Sequence, residues 1–112
     1  MERRIKLKNT AQERDVFVAI ADPTRRKLIR LLADSDELPL YEITTHFEMG
    51  RTAVSKHLTI LKEADLVTNH KKGRETRYQL NPAPLKEVKE WLSFYEDFWN
   101  DRAALLKDIL EE

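Results

Sequence analysis

The stretch "RTAVSKHLTILKEADLV", residues 51–67, decides the fold because one of its faces is apolar and the opposite face is polar. At about 100° per residue, residues 51–64 form a helix whose apolar side is centred on Val54, Leu58 and Leu61. The opposite side carries short hydroxyl side chains and cations, namely Thr52, Ser55, Lys56 and Thr59, with Arg51 and Lys62 flanking them. We therefore predict a helix that buries one face and leaves the other in solvent.

The polar face has the composition that a helix needs to enter the major groove of DNA. Short side chains let the backbone approach the bases, hydroxyls donate or accept hydrogen bonds, and Arg or Lys reach guanine or phosphate. The residues predicted to contact DNA from this helix are Arg51, Thr52, Ser55, Lys56 and Thr59. A merely solvated helix would look much the same. His57 lies on the shoulder of the apolar side, where packing at the core edge is a better interpretation than base contact.

The stretch "LVTNHKKGRETRYQL", residues 66–80, changes from helical to alternating periodicity. It predicts a hairpin in which one strand begins at Val67, the second covers residues 76–80, and Gly73 is available for the turn. Such a wing can hold DNA phosphates or reach a minor groove, and its candidate contacts are Lys71, Lys72, Arg74 and Arg77. A charged edge that only prevents strand aggregation is the alternative. Helix and wing together, in this order and spacing, favour DNA binding.

The formal net charge of zero hides an uneven distribution along the 112 residues. Residues 51–80 have seven basic side chains against three acidic ones, whereas residues 81–112 have four against eight. A basic segment beside an acidic one indicates where a polyanion would bind and which part of the chain would stay away from it.

Upstream segments supply the helices on which the 51–64 helix can pack. Residues 11–21 predict a first helix, and "DPTRRKLIRLLAD" predicts a second that is capped by Asp22 and begins at Pro23. Residues 34–39 predict a polar loop, and "LYEITTHF", residues 40–47, predicts a short helix. The whole chain, 1–112, is therefore expected to be one domain, mainly α with a small β-hairpin, in a winged helix-turn-helix arrangement.

The segment 84–111 predicts a long final helix with an unusually wide apolar surface. Its apolar residues recur at spacings of three and four, and a second aromatic band widens the stripe beyond what one small domain can cover. We therefore predict a homodimer that forms through this helix, together with the first one. The predicted interface residues are Phe17, Val88, Leu92, Tyr95, Trp99, Arg102 and Leu106. Packing within the chain alone is the alternative.

The chain resembles the ArsR-type winged helix transcriptional regulators in four ordered segments, from about Val16 to Glu112. These are "DPTRRKLIRLL", "GRTAVSKHLTILKEADLV", "KKGRETRYQLNP" and the aromatic "WLSFYEDFW". The resemblance implies that residues 51–64 read the major groove, that residues 67–80 are the wing and that the terminal helices dimerise. It also implies a repressor that is released by an effector, either a small molecule or a protein. The predicted dimer, with two recognition helices about one helical turn apart, favours an inverted-repeat operator.

Two departures from the family pattern separate this chain from the family's metal sensors. One type of sensor carries a cysteine pair in the helix that matches residues 40–47, and another uses Asp and His ligands on the last helix. This chain has no cysteine and no histidine after His70, so it resembles a non-metal-sensing branch with an aromatic C-terminal helix. A third departure is Gly50 at a place where a capping serine often lies.

The remaining expectations concern what the protein lacks. The absence of cysteine excludes disulfides and thiolate metal sites, and neither a signal peptide in "MERRIKLKNT" nor an apolar membrane span is expected. No nucleophile and base pair, phosphate loop or metal-ligand set is visible. We therefore expect a cytoplasmic protein that is not an enzyme, needs no cofactor or metal, and binds double-stranded DNA but no membrane. A winged helix module that binds only a protein partner is the alternative.

Overall fold

The computed structural model describes residues 15–111, without the side chains of residues 101–104. Its helices are α1 (Val16–Ala19), α2 (Pro23–Ala33), α3 (Leu40–Thr44), α4 (Arg51–Glu63) and α5 (Leu85–Glu111). Its strands are β1 (Leu38–Pro39), β2 (Val67–Lys72) and β3 (Glu75–Leu80). This is the order of a winged helix-turn-helix, and the predicted fold class is confirmed. Of the predicted first helix, residues 11–14 lie outside the described range.

Helices α1 and α2 begin where a side chain can satisfy the free N–H groups of a helix start. The carboxylate of Asp15 accepts a hydrogen bond from the Phe17 N–H at 2.8 Å, and that of Asp22 accepts one from the Arg25 N–H at 3.1 Å. Pro23 occupies the first position of α2, where its fixed φ suits a helix and its missing N–H costs nothing. Local sequence thus determines where α1 and α2 start.

The sheet has three antiparallel strands in the order β1-β3-β2, so β3 lies in the middle. The prediction of a polar loop over residues 34–39 was wrong at its end, because Leu38 and Pro39 pair with Tyr78 and Arg77 of β3. Leu38 is buried at 9% exposure. Two residues are too few to show an alternating pattern, and pairing with a distant strand makes them a strand.

A single apolar core joins the helices to the inner face of the sheet. Its fully buried members come from every one of the helices α1 to α4 and from the segment that enters β2. The largest are Val16, Leu28, Leu32, Ile43, Val54, Leu58, Leu61, Leu66 and Val67. Within the described residues, no buried side-chain nitrogen or oxygen lacks a hydrogen-bond partner, as a well-formed interior requires.

Helix α5 packs on this core only through its first turns, where Leu85 and Val88 are partly buried. Its 27 residues span about 40 Å at 1.5 Å per residue, so most of the helix extends beyond the domain. None of the helices in residues 15–111 is long and apolar enough to cross a bilayer. The extended part of α5 is therefore an amphipathic surface that the described chain leaves uncovered.

Candidate nucleic-acid interface

Helix α4 has the orientation that its sequence predicts. Val54, Leu58 and Leu61 are at most 1% exposed, and they fix the helix against α2, α3 and β2. On the opposite side Arg51, Thr52, Lys56 and Thr59 are exposed, and Ser55 is half-buried. The Thr59 hydroxyl donates to the Ser55 carbonyl at 3.0 Å, which leaves its oxygen free to accept. The outward face thus offers one ammonium and two exposed hydroxyls.

The two ends of α4 are built differently. Gly50 caps the start without a side-chain hydrogen bond, and a β-carbon there would meet nothing within 4 Å. The end is a Schellman motif, because the Leu66 N–H donates to the Leu61 carbonyl and the Asp65 N–H to the Lys62 carbonyl, both at 2.9 Å. Asp65 has a φ of 62°, a conformation that usually selects glycine. The chain therefore reverses direction directly after α4 and enters β2.

Asn81 connects the end of α4 to the start of α5. Its side-chain amide donates to the Asp65 carbonyl at 2.7 Å, and its backbone N–H donates to the Leu66 carbonyl at 2.8 Å. Asn81 immediately follows β3 and lies four residues before α5. These two bonds tie the turn that follows α4 to the segment that leads into α5.

The wing is a hairpin with a two-residue loop, Gly73 and Arg74. Gly73 has a φ of +66° and no other residue near the tip has a positive φ, as a type II′ turn requires. At this tip Lys71, Lys72 and Arg74 are exposed and have no ion pair within residues 15–111. Their charges are therefore available to an anion outside the protein.

Arg77 differs from the other three predicted wing contacts because it already has anionic partners. Its Nε lies 2.8 Å from Glu37 Oε1 and its Nη1 lies 2.8 Å from Glu75 Oε1. Partial burial lowers the pKa of Arg77, but the hydrogen bonds to Glu75 and Glu37 outweigh that effect and raise it. The side chain would have to leave two carboxylates to reach a phosphate.

His57 lies at the edge of the core, as the helical wheel indicates, and it contacts the start of α2. Its Nδ1 lies 3.2 Å from the Arg25 guanidinium and 3.9 Å from Asp22 Oδ2. Burial raises the pKa of Asp22, but the Arg25 N–H and the charges of His57 and Arg25 together bring it below its usual value. Sequence analysis missed Arg25, whose guanidinium also donates to the Ala19 and Val18 carbonyls at 2.6 and 3.4 Å.

The predicted dimer residues fall into two groups. Phe17 and Val88 pack partly on the core of their own chain, whereas Leu92, Tyr95, Trp99 and Leu106 are 37% to 58% exposed. The side chain of Arg102 lies outside the described residues. Edge contacts between aromatic rings run from Phe17 to Trp91 at 5.6 Å and from Trp91 to Tyr95 at 5.3 Å. These contacts attach α1 to the exposed face of α5.

Comparisons with known proteins agree with this architecture. Residues 22–69 match the sequence profile described as "Bacterial regulatory protein, arsR family". The transcriptional repressor SdpR of Bacillus subtilis is 40% identical over 78 residues, which cover 70% of this chain and 86% of that protein. The arsenic resistance transcriptional regulator ArsR1 of Pseudomonas putida is 35% identical, over 86% of this chain and 64% of its own.

Solved structures show the same fold. The ArsR-like transcriptional regulator from Rhodococcus sp. RHA1 superposes with a TM-score of 0.64 at 30% identity, over 91% of this chain and 95% of that one. A possible transcriptional regulator for arsenical resistance superposes with a TM-score of 0.69 at 37% identity, over 80% and 94% of the two chains.

Proposed function

We propose, because the chain belongs to the ArsR family of bacterial regulatory proteins, that it is a homodimeric repressor that binds an inverted-repeat operator. Membership of this family makes the protein a DNA-binding transcriptional regulator and not an enzyme. The observation that supports this proposal most directly is the outward face of α4 together with the wing cations, which have no ion pair within residues 15–111. The two features face solvent on adjacent elements, since β2 begins four residues after α4 ends.

We assign sequence readout to α4. Thr52 and Thr59 are exposed and short, so the helix backbone can come close to the base edges. The Thr52 hydroxyl can donate or accept, whereas that of Thr59, which donates to the Ser55 carbonyl, can accept. Lys56, between them on the same face, supplies the cation that can contact guanine, and Arg51 lies at the helix start. Ser55 is half-buried and has a smaller share of this surface.

We assign phosphate binding to the wing tip. Lys71, Lys72 and Arg74 are exposed and unpaired within the described range, so each can neutralise a phosphate and release a counterion. Contacts of this kind fix the position of the protein on the duplex but carry no sequence information. The wing would therefore set the affinity for DNA and the position on the duplex, and α4 would set the preference for particular base sequences.

The dimer assignment rests on α5. Trp91, Tyr95 and Trp99 are 43% to 52% exposed on a helix that extends beyond its own domain. Exposed apolar surface of this width usually marks an interface, and a second copy provides the same surface under twofold symmetry. A dimer would also present two copies of α4, which suits two half-sites about one helical turn apart.

Two of the similar proteins are named for arsenic resistance, but we do not assign that role to this protein. Soft thiolates are the ligands that select such ions, and this chain has no cysteine. The repressor role is favoured instead by SdpR, whose name states that function. We propose that any effector here acts without thiolate chemistry.

Selection of bound duplexes from a random pool tests the proposal, with sedimentation of the free and DNA-bound protein as the second measurement. We expect an enriched pseudo-palindrome bound by two chains. A Lys56→Ala variant should enrich a less restricted set, whereas a Lys107→Ala variant, which changes an exposed lysine near the far end of α5, should enrich the wild-type sequence. A protein that stays monomeric and shows no salt-sensitive duplex binding would instead support a protein-interaction module.

A further inference from the structure

The outer face of the wing contains two carboxylates that could cancel its positive charge. Side chains directly opposite each other in an antiparallel pair share a face, and the register places Lys72 opposite Glu75 and His70 opposite Arg77. Glu37, from the segment before β1, reaches the same face through Arg77. Lys72 is therefore next to an acidic residue that is well placed to bind it.

Lys72 nevertheless has no ion pair within residues 15–111, and the carboxylate of Glu75 is bound by Arg77 instead. Glu75 Oε1 accepts from Arg77 Nη1 at 2.8 Å, while Arg77 Nε donates to Glu37 Oε1 at 2.8 Å. The planar guanidinium binds both carboxylates at once, which an ammonium cannot do with the same geometry. The second oxygen of Glu37 lies 3.6 Å from His70 Nε2.

We propose that Arg77 is a positioning residue of the wing: by binding Glu37 and Glu75, it leaves Lys72 free for a DNA phosphate. This assignment rests on the proposed DNA-binding function and replaces the sequence-based expectation that Arg77 itself binds a phosphate. Without Arg77, Glu75 would pair with Lys72 on the opposite strand. The wing would then lose the phosphate contact of Lys72, although Lys72 itself had not been substituted.

Binding of a fluorescent 30-base-pair duplex of arbitrary sequence tests the proposal, since phosphate contacts do not depend on the operator. The dissociation constant is measured from low to moderate salt. In the wild-type background, Lys72→Met should lower the slope of log affinity against log salt by about 0.9. In the Arg77→Met background we expect less than half of that change, because Lys72 is already engaged. Lys71 is the matched control: it lies opposite Thr76, so Lys71→Met should have the same effect in both backgrounds.

A second comparison distinguishes a positioning role of Arg77 from direct phosphate contact. It measures whether the loss of affinity caused by Arg77→Met becomes smaller or larger when the two carboxylates are removed. If Arg77 acts by occupying the carboxylates, Arg77→Met should weaken binding less in a Glu37→Gln/Glu75→Gln background than in the wild type. If Arg77 binds phosphate itself, the carboxylates compete for it, and Arg77→Met should weaken binding more in that background. Exposed ion pairs are weak, so we expect a coupling of about two- to fivefold in the dissociation constant at low salt.

Equal effects in the two backgrounds, or a larger effect with the glutamines, would overturn the proposal. Far-UV circular dichroism and thermal unfolding of each variant identify any loss of fold. If the triple variant unfolds, the comparison is repeated in a Glu75→Gln background, which removes only the carboxylate that lies opposite Lys72. Failure of the proposed function looks different, because the wild-type protein itself would then show no salt-dependent binding, and this inference would fall with it.

Discussion

Asp65, the residue that ends α4 in a left-handed conformation, offers a test of how the chain reverses between α4 and the wing. Its φ is 62° and its side chain is exposed, while only its backbone N–H and carbonyl form hydrogen bonds. Replacing Asp65 with Gly or Ala therefore removes the same charge and no side-chain hydrogen bond. The two variants differ only in the presence of a β-carbon.

The expected difference follows from backbone energies. A left-handed φ costs an ordinary L-residue about 1–2 kcal/mol, and Gly avoids that cost but loses about 0.5–1 kcal/mol more conformational entropy on folding. Asp65→Gly should therefore be more stable than Asp65→Ala by about 1 kcal/mol. At an ordinary helical φ the order would be reversed, with Ala more stable by about 0.4–1 kcal/mol.

Urea unfolding, followed by circular dichroism at one fixed protein concentration, measures the difference. With a typical slope of about 1–3 kcal/mol per molar urea, the two midpoints should differ by about 0.3–1 M. Asp65→Asn is the control, since Asn tolerates the left-handed region and also removes the charge, and it should lie between the other two variants. An alanine variant as stable as the glycine variant, or more stable, would refute the described geometry of this turn.

Three other outcomes are expected. Lys56→Ala should relax base preference at one position of each half-site by about 1–3 kcal/mol. Arg74→Ala should weaken the binding of all duplexes alike and lower the slope of log affinity against log salt by about 0.9. Competition titrations with matched and mutated duplexes distinguish these two effects. Leu58→Ala should lower the free energy of unfolding by about 2–5 kcal/mol because the side chain is 1% exposed; a loss below 1 kcal/mol in urea unfolding would contradict its place in the core. Because the pKa of Asp22 is lowered in the folded protein, its charge stabilises the fold above the ordinary carboxyl pKa of about 3.9, and this contribution is lost as the pH falls through the lower folded value. Asp22→Asn, which still caps α2, should show a smaller loss of stability between pH 5 and about 2, and an unchanged acid transition would argue against the cap contact.

The sequence was sufficient to predict the helices and strands whose apolar residues recur with the period of that element. Residues 51–64 have a clear apolar stripe, and α4 buries the same three residues that the stripe marks. The hairpin was also predictable, since Gly73 fits a two-residue loop between alternating strands. The short strand at Leu38 and Pro39 could not be predicted, because its identity depends on β3, about forty residues away in sequence.

The residues of the candidate site and their exposure could be predicted from the sequence, but their ion-pair partners could not. Exposure of Thr52, Lys56 and Thr59 follows from their place on the wheel. The partners of Arg77 do not, because Glu37 lies 40 residues earlier in the chain and only the pairing of β1 with β3 brings it close. A count of basic residues therefore overestimates the charge that a wing can offer.

The hydrogen bonds of Asn81 have a consequence for how such a protein can diverge. Because they join Asp65 and Leu66, just after α4, to a residue four positions before α5, the spacing between two copies of α4 in the proposed dimer would be set by how the α5 helices pair. Substitutions on the outward side of α4 can then alter which bases are preferred while the separation of half-sites stays constant. A change in that separation would require changes along α5, so the two properties of an operator can evolve through different parts of the gene.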